Sequence, residues 1–153
     1  MNIRDVIEDK YKNAIKARNQ DEINTLRLVK SAIKDKDILA RSGRDKKNIE
    51  DPSILSLLQS LIKQRNDSIE SFKLAARNDL IAIEQIEIDI ISKFLPKQKN
   101  EEETLVIVDS IIFSKKLTSI RDMGIIMNEL KSNFAGTVDM ALAGKIAKSK
   151  LSN

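Results

Sequence analysis

Hydrophobic residues recur along this chain at intervals of three and four, the spacing that places them on one face of an α-helix. Ile3, Val6, Ile7, Tyr11, Ala14 and Ile15 form the first stripe, with Asn2 where an N-cap belongs. A break at "RNQDE" leads to a second stripe of Ile23, Leu26, Val29, Ala32 and Ile33. Arg27, Lys30 and Lys34 are expected opposite it, either as a solvated face or as a ridge that meets phosphates. "RSGRDKKNIED" has no apolar period and reads as an exposed loop. Asp51 then reads as an N-cap and Pro52 as the first helical residue. Leu57, Leu58, Leu61, Ile62, Arg65, Ile69, Phe72 and Ala76 continue as a long helical stripe.

"ARNDL" interrupts that helix, with Asn78 and Asp79 able to cap a new turn. The next segment, "IAIEQIEIDIISKFL", alternates over Ile86–Ile90 like a strand. Yet Ile83, Ile86, Ile90 and Phe94 also step by three and four, with Ile81 and Ile88 on a second ridge. Length and Glu/Gln/Lys content assign it to helix. Pro96 ends the element, and "PKQKNEEE" reads as a hinge. Asn100 is expected to cap a helix whose first turn holds Glu101, Glu102 and Glu103, acids that complement the helix dipole and need no metal to explain them. Leu105, Val108, Ile111 and Ile112 form its core face, and Lys115 and Lys116 complement its end.

"SIRD" (Ser119–Asp122) resembles a capping box. Met123, Ile126, Met127, Leu130 and Phe134 make one more stripe, and Val138, Leu142, Ile146 and Leu151 the last. The expected architecture is all-α, about seven helices in two domains, residues 1–95 and 97–153. Two of the four glycines fall in "DMGIIMNELKSNFAG". Gly136 is expected as a left-handed C-cap; Gly124, just inside a helix, would let a neighbouring helix or an RNA backbone come close.

Composition sharpens this by what it omits. The chain of 153 residues has no cysteine, no histidine and no tryptophan, and only 3% aromatic residues. Thiolate chemistry, Cys-zinc sites and every serine–histidine or cysteine–histidine catalyst are excluded. A P-loop sequence is absent too, as is a Gly/Ser-rich segment of the kind that holds an amidase serine and its lysine. Ser149 beside Lys148 and Lys150 reads as surface composition. No catalytic residue, metal or cofactor is expected. The net charge is +4, and residues 1–50 carry 13 Lys+Arg against 9 Asp+Glu, a mild basic bias that suits a nucleic-acid partner. The N-terminus lacks a secretory pattern and no segment approaches a membrane span, so a cytoplasmic protein without a membrane partner is expected. Richness in Ile, Asn and Lys points to an AT-rich bacterial genome.

Four motifs taken in order resemble the YqeY family, whose C-terminal half is similar to the tail of the GatB subunit of tRNA-dependent amidotransferases. They are "TLRLVKSAIKDKDI" (Thr25–Ile38), "LIKQRNDSIESFKLAARNDL" (Leu61–Leu80), "EIDIISKFLPKQ" (Glu87–Gln98) and "DMGIIMNELKSNFAGTVDMALAGKIAKSKL" (Asp122–Leu151). The resemblance spans essentially the whole chain. It departs after Gly136, where Thr137 and Val138 stand in place of a basic residue. It implies an N-terminal helical domain followed by a three-helix tail, and a tRNA or tRNA–enzyme partner for that tail. It also implies a family commonly described as carbon–nitrogen ligases with glutamine as amido-N-donor. The residue types favour a binding module over that activity, with a protein-binding helical adaptor as a further alternative. Candidate RNA contacts are Lys131, Lys145, Lys148 and Lys150 in the tail, with Arg27, Lys30 and Lys34 upstream; Gly124, Gly136 and Asp139 are motif positions.

Overall fold

The computed structural model describes residues 2–152, which are all-helical. The order is α1 (Ile3–Ala17), α2 (Gln20–Arg41), α3 (Asp51–Leu74), α4 (Asn78–Ser92), α5 (Glu101–Lys115), a 3-10 turn (Ile120–Asp122), α6 (Met123–Asn133) and α7 (Met140–Leu151). Residues up to Leu95 form one compact unit and those from Pro96 a second. The segment assigned to helix against its alternating pattern is α4, so the three-and-four spacing wins over the short alternation. None of the described helices is long and apolar enough to cross a membrane.

In the first unit α1 and α2 form a hairpin. Asn2 accepts a hydrogen bond from the Asp5 amide, and Arg18, left-handed at φ 56°, ends the helix through bonds to Ala14 and Ile15. Ile7, Ala14, Ile23, Leu26, Val29 and Ile33 meet Ile54 and Leu58 of α3 and Ile90 and Ile91 of α4 in an aliphatic core. Each of these large side chains contributes about 1.5–3 kcal/mol by burial. Several boundaries fall elsewhere than the pattern suggests. Glu50, not Asp51, is the N-cap of α3; the Asp51 carboxylate instead accepts from the Ile3 amide at 3.3 Å. Ala76 lies beyond α3, exposed, in a left-handed turn (φ 53°), so it is no part of the stripe. Arg77 takes the N-cap position of α4 without a side-chain cap, and Asp79, in the first turn, pairs with it at 2.9 Å and also accepts from the Leu80 amide. Ile83 and Ile86 are exposed because Ile88, Ile90 and Ile91 turn inward.

In the second unit Val108 and Ile111 of α5, Ile126 and Leu130 of α6, Val138, and Ala143, Ala147 and Leu151 of α7 form a separate core. Thr104, not Leu105, is the buried residue in the first turns of α5; its hydroxyl donates to the Asn100 carbonyl at 2.7 Å. The Asn100–Glu103 capping box is complete, as is the one between Ser119 and Asp122. Ala143, Ala147 and Leu151 make the buried face of α7, with Ile146 packed against that core and Leu142 half-buried, and the buried Val138 precedes the helix. Small residues one turn apart let its backbone approach its neighbours closely. The stretch after Pro96 is zipped onto the α6–α7 connection: Gln98 donates to the Gly136 carbonyl, and the Lys99 amide to that of Thr137 at 2.7 Å.

The two motif glycines separate cleanly. Gly136 sits at φ 77°, left-handed as expected, but two residues beyond Phe134, which takes the C-cap position of α6. A Cβ on Gly124 would meet nothing within 4 Å, so no helix or backbone exploits its missing side chain. In thermal or urea unfolding, Gly124→Ala should raise stability by roughly 0.5 kcal/mol and Gly136→Ala should lower it by about 1 kcal/mol. Equal effects at both positions would contradict these assignments.

Candidate functional site

α1 and α2 present a polar cleft of about 490 Å³ lined by Arg4, Glu8, Lys30, Ser31, Lys34 and Asp37 over an apolar floor of Ile7 and Ile33. Its wall is a closed network. Asp37 accepts two hydrogen bonds from Arg4, at 2.5 and 2.8 Å, and a third from the Ile49 amide at 2.9 Å. Arg4 also donates to the Ile49 carbonyl at 2.8 Å. The loop between α2 and α3 is thus anchored at its end, and Ile49 packs on the core instead of lying exposed. The Arg4 guanidinium holds the Asp37 carboxyl below its ordinary value of 3.8, against the opposing effect of burial, with the Ile49 amide assisting. Arg4 is raised in turn, by Asp37 first. The sequence carried one signal of this network: Asp37 continues the buried step Val29–Ile33, an acid where an apolar residue belongs.

The upstream cations are not a free face opposite the stripe. Arg27 donates to the Tyr11 hydroxyl at 3.2 Å. Lys30 is 2.8 Å from Glu8 and 4.1 Å from the Tyr11 ring centroid, a cation–π contact. The Lys30 hydrogen bond lowers the Glu8 carboxyl. α1 therefore occupies two of the three cations, while Lys34 is exposed and makes no ion pair among the described residues.

In the second unit, Lys150 lies 2.7 Å from Asp109 of α5, which removes it from the free set. Lys131, Lys145 and Lys148 are exposed and form no ion pair among the described residues. Lys145 and Lys148 sit about one turn apart, away from the Ala143–Ala147–Leu151 face. Asp139 is structural: its carboxylate caps α7, accepting from the Ala141 and Leu142 amides at 3.0 and 3.2 Å. Phe113 is 87% exposed, whereas Phe134 packs on the core. A second polar cluster, Arg65 with Glu87 at 2.7 Å, joins α3 to α4. Beside it burial, with Glu87 adding, raises the Glu84 carboxyl.

This arrangement is that of an all-α protein of two small helical units, in which nine ion pairs among the described residues engage part of the exposed charge. The family model for Yqey-like proteins matches residues 4–151, and the chain belongs to that family. Among curated proteins it is similar to the altered inheritance of mitochondria protein 41, mitochondrial, of several fungi. It is 34% identical over 90 residues to the Saccharomyces cerevisiae protein, covering 59% of this chain and 46% of the relative. For Clavispora lusitaniae the figures are 32% over 126 residues, 82% and 63%; for Pyrenophora tritici-repentis, 32% over 83 residues, 54% and 43%. The chain thus spans about half of these relatives' length. They are fungal and carry mitochondrial names, which lends no support to a bacterial source.

The pH dependence of stability follows from Asp37. Its folded value is depressed, so the network contributes fully above 3.8 and is lost as pH falls through the lower folded value. Asp37→Asn should cost about 1–2 kcal/mol at pH 7, and the gap to wild type should close in strongly acidic urea melts. A gap independent of pH would contradict this.

Proposed function

We propose that the chain is a non-catalytic RNA-binding module, related to tRNA-dependent amidotransferases, that holds the backbone of tRNA through its second unit. The observation that supports it most is the pair Lys145 and Lys148, exposed one turn apart on α7 and left without carboxylate partners while Lys150 is engaged by Asp109. Helical lysines so placed neutralise phosphates and release counterions. Phe113, on α5 of the same unit, offers a face on which an unpaired base can stack. Lys131 adds a third unpaired cation. A cytoplasmic setting, where charged tRNA is made and used, belongs to the same reading, as does a tRNA–enzyme complex as the working partner.

The geometry favours this over glutamine-dependent ligase activity. Serine and lysine adjoin in the tail at Ser114–Lys115, Lys131–Ser132 and Lys148–Ser149–Lys150, all of them exposed on helix surfaces, and Lys150 is engaged by Asp109. An amidase needs its serine and relay lysine held together in a site that encloses the substrate.

Fluorescence anisotropy at low salt should show saturable binding of tRNA. Lys145→Ala/Lys148→Ala should weaken it roughly tenfold and reduce the salt slope by between one and two. Affinity for tRNA no greater than for random RNA of equal length would refute the tRNA assignment.

A further inference from the structure

We propose that the first unit carries a second, independent RNA-backbone strip running along α2 and into the loop that follows it. Arg27, Lys34 and Arg41 stand at steps of seven, two helical turns apart, which puts them on one line of α2. At 1.5 Å per residue they are spaced about 10.5 Å and span about 21 Å. The chain then leaves the helix and adds Arg44, Lys46 and Lys47 within six residues, against one carboxylate, Asp45. All six cations are exposed. Arg27 has a neutral partner, the Tyr11 hydroxyl, and the other five make no ion pair among the described residues.

The spacing decides what kind of anion fits. Helix positions about 10.5 Å apart and about 21 Å from end to end spread the charge over a length that one phosphate or carboxylate does not cover, so an extended polyanion suits the strip better than a small anion. A polyanion with charge at every nucleotide needs no convergence of the cations, because each cation finds some phosphate along its length. Readout of this kind is blind to sequence and follows shape, since no aromatic side chain lies in the strip. An anionic lipid surface would also attract the charge, but a helix that lies on a membrane inserts a broad apolar face. The broad apolar face of α2 is spent on the core through Leu26, Val29 and Ile33, and the exposed Leu28, Ile38 and Leu39 are only three residues spread over three turns.

The Arg4–Asp37–Ile49 network anchors the chain on both sides of the strip's loop, so its three cations are held near the end of α2 instead of sampling a wide volume. This proposal shares with the preceding one the premise that the partner is RNA, but it rests on different residues in the other unit.

The test is the slope of log K against log salt for full-length protein and tRNA. Three proteins are compared: wild type, Lys34→Gln/Arg41→Gln and Arg44→Gln/Lys46→Gln/Lys47→Gln. Melts confirm that each folds, and these exposed, unpaired positions leave the core untouched. Losing two or three phosphate contacts should lower the slope by about two or three and weaken binding at least tenfold, without preference among RNA sequences. An unchanged slope in both strip variants, with Lys145→Ala/Lys148→Ala still weakening binding, overturns the strip and leaves the tail reading intact. The reverse pattern supports the strip and removes the tail site. No RNA binding by wild type overturns both. Strip variants that lose affinity for anionic phosphatidylglycerol vesicles while keeping it for RNA overturn the RNA assignment in favour of a lipid surface.

Discussion

The first unit depends on one carboxylate. An aliphatic core of isoleucine, leucine and valine pulls helices together without much direction, and this chain has almost no aromatic side chains to add shape. Asp37 supplies the direction: it collects the Arg4 guanidinium and the Ile49 amide, so that α1, α2 and the entry to α3 meet at one point. A pair of this kind contributes little net stability, but leaving either charge alone is costly. It acts through the arrangements it forbids, among them a slipped α1 or a detached loop.

That constraint also sorts the surface charge. α1 is held where Glu8 and Tyr11 engage Lys30 and Arg27, while Lys34 and the loop cations are left to the solvent. In the second unit Asp109 does the same to Lys150 and spares Lys145 and Lys148. Charge that is uniform in composition thus becomes patterned in space. Both units then present exposed cations that make no ion pair among the described residues. With no histidine or cysteine in the chain, ionic strength and not pH near neutrality is the variable to which contact with them responds.

The helices were legible because their signal is repeated many times over: periodic Ile and Leu, Asn2 and Asn100 as caps, and the Ser119–Asp122 box. The exact inward residues were less so. On α7 the expectation followed the largest side chains, whereas close helix approach selected Ala143 and Ala147. On α4 every third or fourth residue is isoleucine on more than one face, so periodicity alone could not tell Ile86 from Ile88. In the candidate site, the free lysines of the tail could be named from sequence, but Lys150 could not be told from Lys148. The distinction lies in Asp109, 41 residues away and brought near only by the packing of α5 on α7. The same holds for Arg4 and Asp37, which are separated by 33 residues.

The turns between helices carry a consequence of their own. Arg18, Ala76 and Lys116 take left-handed conformations where glycine is the usual choice. Each costs about 1 kcal/mol in the folded protein. Glycine there would relieve that strain, yet it would also widen the range of shapes open to the denatured chain, and the two effects oppose one another. With four glycines in 153 residues, this chain starts from a comparatively stiff unfolded ensemble and has less disorder to surrender when its hairpins close. Its turns are strained, but they are short in reach and local in sequence, which is the condition under which helical units form quickly.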